Sequence, residues 1–151
     1  MSFLLDTNIL TRAAQPSHPW CQTAVDAVVE LRRRSMPLHL VPQNLYEFWS
    51  VATRPANANG LGMSVAEAVA ELAELKRLYT ILDETPAILR EWEDLVLQLG
   101  VLGKSAHDAH LVAAMHVHGL SQILTFNPAD FRRYSTITVV APPDLLQRQT
   151  P

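Results

Sequence analysis

The stretch SFLLDTNIL, Ser2 to Leu10, runs a short apolar segment directly into an aspartate. Residues Ser2 to Leu5 have the composition of a buried β-strand. The residues from Thr7 to Ala14 leave room for only a short turn or helix before Pro16. Asp6 is therefore predicted at the carboxyl end of the first strand. Its function depends on which other side chains the fold places next to it.

Strand-like and helix-like segments alternate along the rest of the chain. Four further strands are predicted in MPLHLV (36–41), YTIL (79–82), SQILT (121–125) and TITVV (136–140). Helices are predicted over 19–34, 42–54, 64–78, 85–100 and 105–116, with a polar loop over 126–134 and a proline-marked tail. Because the strands are apolar without polar alternation, the pattern predicts an α/β fold with a parallel five-stranded sheet flanked by helices on both faces.

Length and composition predict one domain over residues 1–151. The chain is 48% hydrophobic and 18% charged, and it carries a formal net charge of −3. Its one cysteine, Cys21, cannot form an intramolecular disulfide, which fits a reducing compartment. No apolar run approaches the ~20 residues of a membrane helix. We therefore expect a soluble, cytoplasmic protein that does not associate with membranes.

Three acidic residues are candidates for a functional site, one after the first strand and two within the first turns of helices. Asp6 follows the first strand and so faces the crevice where α/β sheets bind ligands, although an aspartate there also serves as a helix N-cap. Glu47 lies early in a helix that is otherwise rich in core residues. It is either a solvent-exposed residue at the edge of that helix or an inward-facing residue at the rim of the sheet. Asp108 stands three residues after Ser105, a spacing that also fits a capping box.

The segment ILTFNPADF adds polar residues after the fourth strand. Thr125, Asn127 and Asp130 lie there, beside Pro128, where Asn and Asp are also ordinary turn residues. Two carboxylates ~4 Å apart repel by about 4 kcal/mol at an effective dielectric near 20, so a fold that collects them needs a compensating cation. Oxygen ligands favour a hard ion, Mg²⁺ or Mn²⁺, and such a site suits phosphodiester hydrolysis.

Four segments carry a family resemblance over the chain from Phe3 to about Val140. LLDTNIL, NLYEFWSVATRP, HDAHLVAAM and ILTFNPADF occur in the order of the signature blocks of the PIN domain, in the VapC-like group of bacterial toxin ribonucleases. The resemblance implies a PIN-like fold and a Mg²⁺- or Mn²⁺-dependent endoribonuclease. It also implies the toxin of a type II toxin–antitoxin pair, with an RNA substrate, a cognate antitoxin protein and an open possibility of a homodimer.

The resemblance also assigns residues. Asp6, Glu47 and Asp108 match the metal-binding acids of the family, and Asn127 stands where many members carry Asp, so that either Asn127 or Asp130 fills the fourth position. Thr7, Asn8 and Thr125 are expected to support the site through hydrogen bonds. Apart from the resemblance, four basic residues are expected near the predicted crevice, where each either contacts the RNA backbone or is a solvent-exposed charge: Arg54, Lys104, Arg132 and Arg133.

Other residues and functions were weighed against this interpretation. The six histidines include no His-x-x-x-His pair and have no cysteine support for zinc, and His107 and His110 are expected to border the acidic site. Trp20, Trp49 and Trp92 fit helical core spacing better than base stacking. Two rival functions are a phosphoacceptor signalling domain and a catalytically weak or inactive PIN-like RNA-binding or dimerisation module.

Overall fold

The computed structural model describes residues 1–148 as five strands and seven α-helices. The strands are β1 (Phe3–Leu5), β2 (Leu38–Leu40), β3 (Thr80–Ile81), β4 (Gln122–Leu124) and β5 (Thr138–Val140). The helices are α1 (Thr7–Ala13), α2 (Cys21–Arg33), α3 (Pro42–Thr53), α4 (Val65–Leu78), α5 (Pro86–Leu99), α6 (Ser105–His118) and α7 (Pro142–Gln147). Short 3-10 helices cover Ala56–Ala58 and Pro128–Phe131.

The five strands form one sheet in the order β3-β2-β1-β4-β5, and every neighbouring pair is parallel. This confirms the predicted fold class. β1 lies at the centre, with β2 on one side and β4 on the other. Because the chain order changes direction at β1, the carboxyl ends of β1 and β4 border the crevice where open α/β sheets bind ligands.

Helices cover both faces of the sheet. Phe3 and Leu5 of β1 belong to a core shared with α1, α2, α3, α4 and α7. Leu4 points to the opposite face and belongs to a second core with α5 and α6. Alternate residues of a three-residue strand therefore serve two cores, which explains why β1 is apolar throughout. In residues 1–148 we find no helix with the length and apolar character that a membrane span requires.

The structure corrects the predicted tail and one predicted core residue. The segment after β5 forms α7, in which Pro142 occupies the first helical position, where a missing N–H costs nothing. Trp20 is 46% exposed because α2 begins only at Cys21, so Trp20 lies outside the helical repeat that was extended through it. The predicted loop over 126–134 contains the second 3-10 helix.

Candidate active site

Asp6 places a buried carboxylate at the carboxyl end of β1, with 8% of the residue exposed. Its Oδ1 accepts the Thr7 backbone N–H at 2.8 Å, which makes Asp6 the N-cap of α1. Its Oδ2 accepts the Thr125 hydroxyl at 2.7 Å and lies 3.2 Å from the Asn8 side-chain nitrogen. Asp6 therefore caps α1 and also holds a buried carboxylate at the carboxyl end of β1, although it is not among the residues that line the crevice described below.

Hydrogen bonds join the ends of β1 and β4 around Asp6. Asn8 accepts the backbone N–H of Phe126 at 3.2 Å, and the Asn127 N–H donates to the Thr125 hydroxyl at 3.0 Å. On the other side of β1, the Thr7 hydroxyl accepts from Asn44 at 3.1 Å. Thr7, Asn8 and Thr125 thus form the expected hydrogen-bonding support for Asp6.

Three further acids line a crevice of about 290 Å³ at this edge of the sheet. The crevice is bordered by Glu47 from α3, Asp108 from α6 and Asp130 from the second 3-10 helix. Lys104 and His107 complete its rim. The structure therefore brings together acids that lie far apart in the sequence, as the strand-end argument predicted.

The electrostatics of Asp6 and Asp108 show that they share one environment. Burial raises the pKa of Asp6 to about 6, with smaller contributions from the charges of Glu47 and Asp130, against the lowering effect of its hydrogen bonds. Burial also raises the pKa of Asp108 to about 7, and the charges of Asp6, Asp130 and Glu47 add to it, whereas Lys104 lowers it. Ionisation of Asp6 and of Asp108 therefore costs more free energy in the folded protein than it does in water.

The capping role considered for Asp108 is absent. α6 begins at Ser105, so Lys104 occupies the N-cap position, and no side chain caps this helix end. Asp108 lies in the first turn, where the helix dipole favours an acid, but it makes no capping bond. Its carboxylate is free to face the crevice.

The donor set fits a hard divalent cation without forming a closed cage. Within residues 1–148, no three His, Cys, Asp or Glu side chains stand close enough together to enclose a metal ion. Mg²⁺ keeps several water ligands and is typically bound through one or two carboxylates, so it does not need such a cage. Burial and the charges of neighbouring acids raise the pKa values of Asp6 and Asp108, and Lys104 is the lysine that lines the crevice beside them. A cation would stabilise such a site.

A chain of hydrogen bonds that the sequence did not predict supports Glu47. The buried Gln43 amide donates to Glu47 Oε1 at 2.5 Å and to the His107 carbonyl at 2.8 Å. The amide oxygen of Gln43 accepts from His110 Nδ1, and His110 Nε2 lies 2.7 Å from Glu84. The spacing of Gln43 and Glu47, four residues apart on a helix, was a usable signal. The contacts between α3, α6 and the β3–α5 connection join residues far apart in the chain, so no local sequence pattern predicts them.

The remaining predicted residues are distributed more widely. Lys104 lines the acidic crevice. Arg54 and Arg132 are exposed and form no ion pair within residues 1–148. Arg133 lines a separate cavity of about 510 Å³ that also contains His116. Of the side chains predicted to contact RNA, the structure therefore brings only Lys104 to the crevice wall.

Comparison with known proteins identifies a family and a set of similar folds. The family model for the PIN domain matches residues 3–137. The fold is similar to VapBC2 from Rickettsia felis bound to a DNA fragment from its promoter, with 16% identity, coverage of 93% of this chain and 98% of that chain, and a TM-score of 0.69. VapBC-1 from nontypeable Haemophilus influenzae has 14% identity, coverage of 95% and 99%, and a TM-score of 0.68.

A third similar structure carries a described activity. The Mycobacterium tuberculosis protein VapC20, described as a sarcin-ricin loop cleaving toxin, has 18% identity to this chain, coverage of 81% and 87%, and a TM-score of 0.62. At these identities the likeness concerns the fold. No curated protein sequence matches the chain.

Proposed function

The chain belongs to the PIN domain family, and from this membership we propose that it is a divalent-metal-dependent endoribonuclease. One observation carries the proposal. Asp6, Glu47, Asp108 and Asp130 converge at the carboxyl edge of the sheet, and the first and third of them have raised pKa values. An acidic cluster at the ligand crevice of an α/β sheet is suited to binding Mg²⁺ or Mn²⁺ and, with it, a substrate phosphate.

We assign the metal-holding role to Asp6, Glu47 and Asp108, of which one or two would bind the ion directly and the remainder through its water ligands. When bound, Mg²⁺ or Mn²⁺ supplies the Lewis acidity that activates water and stabilises the leaving oxygen of a phosphodiester. Thr125 and Asn8 hold the Asp6 carboxylate in place, and Gln43 holds that of Glu47. Both acids would thus be pre-oriented before the ion and the RNA arrive.

Asp130 is our candidate for the fourth acidic position. Its charge raises the pKa of both Asp6 and Asp108, and it lines the same crevice as Glu47. Asn127 precedes the 3-10 helix that carries Asp130, and its backbone N–H is tied to Thr125. We propose that the neutral Asn127 amide orients water or phosphate, while Asp130 contributes the charge.

The biological role that we propose is the toxin of a toxin–antitoxin pair. The similar structures from R. felis and H. influenzae are VapBC proteins, and another is a toxin–antitoxin complex from Klebsiella pneumoniae. By analogy, a cognate antitoxin protein would neutralise this chain. Cellular RNA as substrate and one unpaired cysteine fit a cytoplasmic site of action. The homodimer stays a prediction.

Expression in a bacterial host tests this role in cells. We expect wild-type protein to arrest growth and to shorten specific cellular RNAs, because cleavage of essential RNA is the proposed toxic event. Asp6→Asn, expressed at the same level, should do neither. Equal growth arrest by both proteins would show that toxicity does not come from the acidic site.

A second candidate function follows from Asn127. An amide at a position where many relatives carry a carboxylate weakens metal binding, so the chain could act as an RNA-binding module without cleavage. If the chain is such a module, the wild-type protein and the Asp6→Asn variant should bind RNA equally well. The RNA should also stay intact when divalent metal is added. The presence of Asp130 in the crevice favours the enzyme.

A further inference from the structure

An aromatic pair, formed by the exposed Trp20 and the partly buried Phe126, lies beside the acidic site. Trp20 stacks on Phe126 with ring centroids 4.9 Å apart and an interplanar angle of 14°. Trp20 nevertheless stays 46% exposed, so part of the indole faces solvent. A large aromatic ring that is fixed by stacking and partly open is the usual form of a platform for nucleic-acid bases.

Short connections link this pair to Asp6. Phe126 follows Thr125, whose hydroxyl donates to Asp6 at 2.7 Å. The Phe126 backbone N–H donates to Asn8, which also lies 3.2 Å from Asp6. Two neighbouring residues after β4 therefore connect Trp20 with Asp6: the Phe126 ring stacks on Trp20, and the Thr125 hydroxyl bonds to the Asp6 carboxylate.

Arg12 supplies a cation at the same place. It lies one helical turn after Asn8 on α1, and its Nε is buried without a hydrogen-bond partner. Arg12 forms no ion pair with any of the acids in the described part of the chain. A guanidinium without a carboxylate partner remains available to bind a phosphate oxygen.

His18 connects Arg12 with Trp20. Its Nδ1 accepts the Trp20 backbone N–H at 3.0 Å, and its ring meets the indole edge-on with centroids 5.7 Å apart. The backbone brings His18 close to Arg12, because the Gln15 N–H donates to the Arg12 carbonyl at 3.2 Å and the His18 N–H donates to the Gln15 carbonyl at 2.9 Å. Burial and, after it, the positive charge of Arg12 lower the pKa of His18. The cation and the open aromatic surface thus belong to one cluster.

We propose that Trp20 and Arg12 form a nucleotide subsite beside the acidic crevice, where an unpaired base of single-stranded RNA stacks on Trp20 and Arg12 binds an adjacent phosphate. This subsite rests on the proposed ribonuclease function, because it would hold substrate next to the cleaved bond. Trp and Arg are also common anchors of protein interfaces. The unpaired cation next to a phosphodiester-binding crevice favours RNA.

Binding of a fluorescently labelled single-stranded RNA of about 12 nucleotides tests the subsite. Anisotropy is measured in chelator, so that cleavage does not interfere. We expect Trp20→Ala to weaken binding about tenfold or more, because stacking contributes substantially for each base, and Trp20→Phe to restore most of the affinity. Tyr46→Ala, which removes an exposed aromatic ring from α3, is the matched control and should bind like wild type.

The salt dependence of binding separates the two roles. Arg12→Gln should reduce the slope of log affinity against log salt by about 0.7, the contribution of one phosphate contact in a single strand. Trp20→Ala should leave that slope unchanged. Arg90→Gln, which removes an exposed arginine from α5, should leave both affinity and slope unchanged. Thermal melting of each variant verifies that it is folded.

The outcomes separate the subsite from the enzyme. Unchanged RNA affinity in folded Trp20→Ala and Arg12→Gln overturns the subsite, and the function still stands if wild type cleaves RNA and Asp6→Asn does not. Equal losses in Trp20→Ala and Trp20→Phe would also contradict stacking. If both variants keep their RNA affinity but lose binding to a protein partner, the cluster is a protein anchor and the RNA subsite is wrong.

Discussion

Asp108 accepts no hydrogen bond on its carboxylate among the described residues, in contrast to Asp6. Asp6 accepts bonds from Thr7 and Thr125, and replacing it with Asn would set an amide N–H₂ against those donors. Asp108 makes no capping bond, and burial together with three neighbouring carboxylates raises its pKa to about 7. Its substitution therefore reports on repulsion in the crevice with the fewest side effects.

We predict that Asp108→Asn raises the melting temperature of the metal-free protein at pH 8. The pKa of Asp108 is 3.8 unfolded and about 7 folded, so the folded state binds the proton more tightly. Stability is therefore fully present below pH ~4 and falls as the pH rises through ~7. The expected gain is on the order of 1 kcal/mol, reduced by solvent screening at this half-buried group.

Calorimetry in chelator at pH 5 and pH 8 measures this effect. The gain should be larger at pH 8, and Mn²⁺ should raise the melting temperature of wild type more than that of Asp108→Asn. Asp94→Asn, at an exposed acid of α5, is the control and should show neither change. A variant less stable than wild type at pH 8 would mean that Asp108 makes a favourable interaction rather than a repulsive one.

Gln43 is predicted to matter through Glu47. Gln43→Leu removes the donor to the Glu47 carboxylate and leaves the His107 carbonyl without that partner. We expect a loss of about 1–3 kcal/mol in stability and a fall of about 10–100-fold in Mn²⁺ affinity. Isothermal titration with Mn²⁺ measures the second effect, and Gln98→Leu, at an exposed glutamine of α5, is the control. Unchanged Mn²⁺ affinity in folded Gln43→Leu would remove Gln43 from the site.

The residues that the sequence could predict are those whose position follows from one element. Asp6 ends a strand that is readable from its own composition, and Asp108 opens a helix. The link from Gln43 through His110 to Glu84 depends on how α3 and α6 approach each other, which no local pattern encodes. Trp20 was misplaced because helical spacing was extended one residue beyond the true start of α2.

At the scale of elements, two helix starts that look alike in the sequence differ in the structure. Ser64 and Thr85 both precede helices, but only the Ser64 hydroxyl accepts a bond, from the Glu67 N–H at 3.1 Å. Thr85 makes no capping bond, and its hydroxyl is buried without a partner. α5 begins instead with Pro86, whose fixed φ suits the first helical position.

We therefore predict opposite effects of removing the two hydroxyls. Ser64→Ala should lower the free energy of unfolding by about 1 kcal/mol, the usual contribution of a capping side chain. Thr85→Val should keep or raise stability, because it removes an unsatisfied buried hydroxyl while conserving volume. Urea denaturation of both variants tests the pair. A destabilised Thr85→Val would show that its hydroxyl has a partner in solution.

Element types were predictable and some element ends were not. The parallel sheet followed from apolar strands that alternate with helices. α7 escaped prediction because adjacent prolines, Pro142 and Pro143, suggest a break, although the first turn of a helix tolerates them. The residues Pro128–Phe131 predict a loop for a similar reason, yet they form a 3-10 helix that places Asp130 at the crevice.

At the scale of the molecule, the net charge of −3 conceals an uneven distribution. Four acids gather at the carboxyl edge of the sheet, whereas the nearest candidates for phosphate binding are Lys104 at the rim and Arg12 beside Trp20. The order of the strands creates this edge, because β1 and β4 end side by side while their loops come from distant parts of the chain. The order of the strands, more than the overall composition, therefore places the acidic residues together at one edge of the sheet.

The proposed chemistry predicts the ends of the RNA products. If water attacks the phosphorus and the 3′ oxygen leaves, cleavage yields 5′-phosphate and 3′-hydroxyl ends. Ligation of adaptors that require each kind of end, followed by sequencing, identifies them. Products with 2′,3′-cyclic phosphate would instead indicate attack by the RNA's own 2′-hydroxyl, which does not need the proposed site.

The most direct test of the account is cleavage of total cellular RNA by the purified protein. The reaction is run with Mg²⁺ or Mn²⁺, with chelator, and with the Asp6→Asn variant purified in the same way. We predict defined fragments with wild type and metal, and intact RNA both in chelator and with the variant. Equal cutting by Asp6→Asn, or cutting that persists in chelator, would contradict a metal-dependent acidic site at the carboxyl edge of the sheet.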